Sequence, residues 1–125
     1  MKAATACVLS VLAISGLAGC NQSKVVAPTD RGVCYILNTK VEPPKFDRIA
    51  SDIPDLEHCA AEMEKLRLGL NRLGADAGDI IGSFQGRFLF RTGYGYYTSQ
   101  TYEGNRYLLM VPYNGKLVMP GAVPQ

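Results

Sequence analysis

Between Leu56 and Leu73 the apolar residues Leu56, Cys59, Ala60, Met63, Leu66, Leu70 and Leu73 recur every three or four positions. That spacing lines them up on one stripe of an α-helix and leaves Glu62, Glu64, Lys65, Arg67 and Arg72 to a solvated face. Ser51 or Asp52 offers an amino-terminal cap, Pro54 suits the first turn, and Asp55 and Glu57 suit the positive end of the helix dipole. Gly74 supplies the stop. A helix with one greasy stripe cannot bury it alone, so the remaining chain must provide a partner surface.

The remaining chain has the texture of a sheet. "VCYILNT" at 33–39 is β-branched and aromatic enough for a first strand, which Pro43 and Pro44 end by opening a loop. After Gly74, "DIIGSFQGRFLF", "YGYYTSQTY", "NRYLLMVPY" and "KLVMP" are short runs separated by Gly and Asn. Asn114-Gly115 is the strongest hairpin signal, because a type I′ turn needs positive φ at both central residues, and Pro112 is expected on an edge strand or at a bulge. The expected fold is α+β: one long amphipathic helix packed on a small antiparallel sheet of four or five strands. With 125 residues, 47% of them apolar, 19% charged and a net charge of +2, the chain is sized for one domain and too evenly charged to favour nucleic acid.

The amino terminus is organised differently. Lys2 precedes about a dozen mostly apolar residues, Ala3 to Ile14, and Ser15-Gly16 interrupt them before Leu17-Ala18-Gly19-Cys20. A charged end, an apolar run and small residues are the order of a secretory signal, and the run is shorter than the roughly 20 residues a spanning helix needs. "LAGC" resembles the lipobox of bacterial lipoproteins. The alternatives are an ordinary cleaved signal or a small-residue membrane helix. The resemblance implies cleavage after residue 19 and diacylation of Cys20. It also implies a cell-envelope, periplasm-facing location, with Asn21 favouring the outer over the inner membrane. Multiple acyl chains hold firmly, because each buried CH₂ contributes about 0.8 kcal/mol. Residues 20–32 are then a lipidated tether of about 40 Å at full stretch, and 33–125 the single domain.

On this reading Cys7 is discarded and Cys20 carries lipid, which leaves Cys34 and Cys59. In an oxidising compartment they read as one disulfide pinning helix to first strand, and closing that loop contributes roughly 3.5 kcal/mol in the chain-entropy model. Two buried thiols, or a redox or metal pair, are the alternatives, although no C-x-x-C spacing is present.

Six of the seven tyrosines lie between Tyr94 and Tyr113, flanked by Arg87, Arg91, Arg106 and Lys116 against Glu103 alone. Arg91, Tyr94, Tyr96, Tyr97, Tyr102 and Arg106 therefore form the candidate binding surface, since tyrosine presents rigid area with a polar tip. The competing reading is that these rings fill a half-buried sheet. Gly93, Gly95 and Gly104 do not fit a phosphate loop, His58 lacks a visible nucleophile and orienting acid, and Asp76 and Asp79 lack the further oxygens of a calcium loop. No catalytic residue, metal ligand or cofactor is expected. The expected function is a non-catalytic binding or accessory module, anchored to the membrane and contacting an envelope protein or peptidoglycan. An envelope enzyme or enzyme inhibitor is the alternative.

Overall fold

The structure is a computed structural model that describes residues 25–123; the signal-like segment and Cys20 lie outside the described residues. It contains β1 (Cys34–Asn38), β2 (Lys45–Ala50), α1 (Leu56–Arg72), β3 (Ile80–Phe84), β4 (Arg87–Arg91), β5 (Tyr96–Ser99), β6 (Tyr107–Tyr113) and β7 (Lys116–Val118), followed by a 3₁₀ turn at Pro120–Ala122. The strands form one sheet in the order β2-β1-β3-β4-β5-β6-β7, and every neighbouring pair is antiparallel.

The α+β class is as expected, but the sheet has seven strands rather than four or five. Part of the excess comes from "DIIGSFQGRFLF", which is two strands. Gln85 and Gly86 sit at φ 48° and 85° between the paired residues Phe84 and Arg87, the geometry of a two-residue hairpin. Asn114 and Gly115, at φ 51° and 80°, make the equivalent turn between β6 and β7. Strand β2 arises where a loop was expected: the chain reverses through Pro43-Pro44 and Lys45 returns opposite Asn38. Lys45, Asp47 and Arg48 break up its apolar signal, and such charges are what protects an edge strand from unwanted pairing. Pro112 lies one strand in from the edge, beyond the stretch of β6 that pairs with β5.

Helix α1 begins one turn later than the sequence suggests. Asp55, extended at φ −158°, is the cap, and its carboxylate accepts the His58 backbone N–H at 2.8 Å. At the far end Gly74 adopts φ 87°, and the N–H groups of Gly74 and Ala75 donate to Asn71 and Leu70 carbonyls at 3.0 Å each. This paired closure satisfies carbonyls that the helix leaves open. Cys59, Ala60 and Met63 of the stripe are buried, whereas Leu73 is 83% exposed because the helix has ended there.

The sheet has a core on each face. On the helix side Cys34, Cys59, Ala60, Met63, Phe84, Leu89, Tyr96 and Met110 pack together. The Cys34–Cys59 disulfide ties β1 to α1 within that core, with Cα atoms 5.4 Å apart and both residues fully buried. On the opposite face Phe88 and Phe90 pack with Ala27, Phe46, Ile81, Tyr97 and Tyr102. Ala27 belongs to the stretch assigned to a tether. Instead the stretch from Val25 runs along this face as a strap. Ala27 is 5% exposed, the Gly86 N–H donates to the Pro28 carbonyl at 2.8 Å, and the Gly32 N–H donates to Gln85 Oε1 at 2.7 Å. Residues 25–32 thus pack on the sheet through Ala27, Pro28 and Gly32.

Candidate functional site

The six residues of the expected binding surface do not share a surface. Residue alternation along β4 and β5 divides them, because neighbours in a strand point to opposite faces. Arg91 and Tyr96, a cross-strand pair, face the helix; Tyr97 pairs with Phe90 on the other side. Tyr94 alone projects from the turn between the two strands, 66% exposed.

Beneath the helix, Tyr96 is fully buried and its hydroxyl donates to Glu64 Oε1 at 2.8 Å. Arg67 grips the same carboxylate through two hydrogen bonds, Nε to Oε1 at 3.0 Å and Nη2 to Oε2 at 2.7 Å. Arg91 adds its charge from 3.8 Å. Glu64 and Arg67 were placed on the wet face of the helix, yet their side chains are only 16% and 18% exposed, because the sheet extends under them. The Arg67 hydrogen bonds hold the Glu64 carboxyl below the usual carboxylate range, against the opposing effect of burial, and Tyr96 assists. Burial first, and then the Glu64 carboxylate, push the Tyr96 phenol well above its ordinary value. The phenol O–H and the carboxylate thus form a donor–acceptor pair that links β5 to α1.

On the second face Tyr102 meets Phe88 edge-on at 5.7 Å and tilts against Phe90 at 6.1 Å, and the Arg106 guanidinium lies 3.6 Å from the Phe90 ring centre. Tyr97, Tyr102 and Arg106 therefore roof a small aromatic core, and the cation strengthens it by facing the ring's negative π-cloud. These contacts match the reading in which tyrosines fill a half-buried sheet.

The side chains that do reach solvent lie further along. Tyr107 (63%), Met119 (51%), Tyr113 and Leu108 are exposed on β6 and just past β7. Tyr94 borders a shallow groove of about 390 Å³ with Val111, Pro112, Pro120 and Val123. Tyr107 and Tyr113 belong to the tyrosine-rich stretch, and only pairing and burial distinguish them from Tyr96.

Elsewhere, His58 Nδ1 lies 2.6 Å from Asp55 Oδ1 at the exposed start of α1, and that contact lowers the Asp55 pKa. Asp76 accepts the Gly78 N–H in a two-residue turn. Among the described residues no three metal-ligating side chains converge, and no helix is long and apolar enough to cross a membrane. A groove of about 520 Å³ runs from Ile36 and Ile80 to Leu66 and Leu70 at the end of the helix. A smaller cleft of about 320 Å³ opens where β4 begins, β5 ends and β6 begins, lined by Arg87, Ser99, Gln100, Thr101, Gly104, Asn105 and Tyr107. Comparison of the chain with known protein families, characterised proteins and solved structures finds no match.

Proposed function

We propose that this chain is a small lipid-anchored protein of the bacterial envelope that acts by binding rather than catalysis. Cys20 is the attachment point, the outer membrane the favoured site, and the β6–β7 end of the sheet the contact surface. The observation that supports this best is the exposure of Tyr94, Tyr113 and Met119 at or next to the groove that Tyr94 forms with Val111, Pro112, Pro120 and Val123. Apolar and aromatic side chains gathered in this way mark contact surfaces for an envelope protein or polymer. The surface first expected around Arg91 and Tyr96 is replaced by this one.

The test is crosslinking in native membranes followed by mass spectrometry of what is captured. A Tyr94→Ser/Tyr113→Ser/Met119→Ser variant should keep its melting temperature within a few degrees and lose the captured species. A Leu68→Ser/Leu73→Ser variant on exposed helix positions should keep them. Equal capture by both variants would remove this surface, and an intact mass that retains Met1 with an unacylated Cys20 would remove the anchor.

A further inference from the structure

We propose that the cleft around Arg87 is a binding site for the carboxylate of an acidic sugar. The argument begins with charge. All eleven Asp and Glu side chains belong to the described residues, and the ion pairs they form go to Lys45, His58, Lys65, Arg67 and Arg91. Arg87 has no carboxylate partner among them, although it is only part-exposed and its Nε is buried with no hydrogen bond to any described residue. The terminal nitrogens of Arg87 make no hydrogen bond to a described residue either, and these are the atoms that an oxyanion entering the cleft from solvent would meet. Glu103, next to Gly104 in the chain, lines a second cleft with Val25 and Tyr102.

The surroundings of Arg87 fit this ligand. Ser99 Oγ is occupied, donating to the Thr101 carbonyl and accepting the Thr101 N–H at 3.2 Å, which fixes the cleft wall. The side-chain amides of Gln100 and Asn105 and the Tyr107 hydroxyl make no hydrogen bond to a described residue, so they remain available to hydroxyl and acetamido groups. Gly104 packs tightly on the cleft wall, where a Cβ would collide with Thr101 Oγ1 and lie 3.4 Å from Ser99 Oγ. Tyr107, 63% exposed, offers a flat ring to the C–H face of a pyranose. At about 320 Å³ the cleft is at the small end of ligand pockets, with room for one sugar unit. A guanidinium fork matches carboxylate and phosphate alike; the amides and the aromatic ring beside it favour a carboxylated sugar.

This deepens the binding reading and is separable from it, because the Tyr94, Tyr113 and Met119 substitutions leave the cleft intact. Detergent-solubilised full-length protein would be titrated calorimetrically with N-acetylmuramic acid, N-acetylglucosamine and inorganic phosphate. N-acetylmuramic acid should bind at least about tenfold more tightly than N-acetylglucosamine, which lacks the lactyl carboxylate, and more tightly than phosphate. Arg87→Lys, which keeps charge but loses the fork, should weaken it about tenfold, and Tyr107→Ser should weaken both sugars. Because Tyr107 is exposed, that second variant reports on the cleft even if Arg87→Lys folds poorly. Equal affinity for acidic and neutral sugar, tighter binding of phosphate, or no heat from any of the three would overturn the proposal.

Discussion

Glu64 receives hydrogen bonds from Arg67 and Tyr96 and shares its charge with Arg91, whose side chain is 14% exposed. Glu64→Gln keeps the volume and removes the charge that both arginines face. We expect a loss of about 2 kcal/mol at pH 7, read as a shift in the urea midpoint. The sign of its pH dependence follows from the lowered pKa. The carboxylate contributes fully above the unfolded value of about 4.3, and the contribution fades as pH falls through the lower folded value. The gap between wild type and variant should therefore close on acidification below about pH 4. A gap that persisted there would mean the cluster acts through shape and not charge. Tyr96→Phe deletes one donor and should cost about 1 kcal/mol. Little of this is legible in sequence. Alternation separates Tyr96 from Tyr97, but nothing in the local pattern says which face a helix will cover. Tyr96 and Glu64 are 32 residues apart, and Arg87 becomes a candidate only once three strand ends meet.

Helix α1 lies so close to β3 that Gly82 has no room for a side chain. A Cβ there would sit 2.6 Å from both the Tyr35 carbonyl oxygen and Met63 Sδ. Met63 could swing away, but the Tyr35 carbonyl is backbone in the neighbouring strand β1. Gly82→Ala should thus destabilise by about 1–3 kcal/mol and shift the Met63 methyl resonance, whereas Gly69→Ala, with open space around it, should not. The elements themselves vary in how plainly they are written. The helix announces itself because seven apolar residues keep one period, and Gly74 closes it as its conformational freedom predicts. Strand β2 is hidden, since "KFDRIA" draws its pairing from β1 and not from its own hydrophobicity. The Cys34–Cys59 link was readable by elimination, two of four cysteines having been assigned elsewhere.

At the scale of the molecule, a single sheet is covered on one side by α1 and on the other by the strap that starts at Val25. Ala27→Asp would place an uncompensated charge against Phe88 and Phe90, at an expected cost of about 2–4 kcal/mol. Faster hydrogen exchange should appear in β4 before α1; protection lost first in α1 would mean that the strap contributes little to that face. The strap also changes the proposed anchorage. From Cys20 to Val25 the chain can extend about 18 Å at most, less than half of what a tether reaching residue 32 would allow. With the proposed anchor at Cys20, a leash this short would leave the domain little freedom to wander from the lipid surface. Were Cys20 acylated as proposed, a pull on that anchor would reach the described chain at Val25 and pass through Ala27 and the Pro28 carbonyl into the Gly86 hairpin. Under tension the molecule should yield by peeling there, like tape lifted from one corner, while the sulfur-stitched half beyond it stays whole.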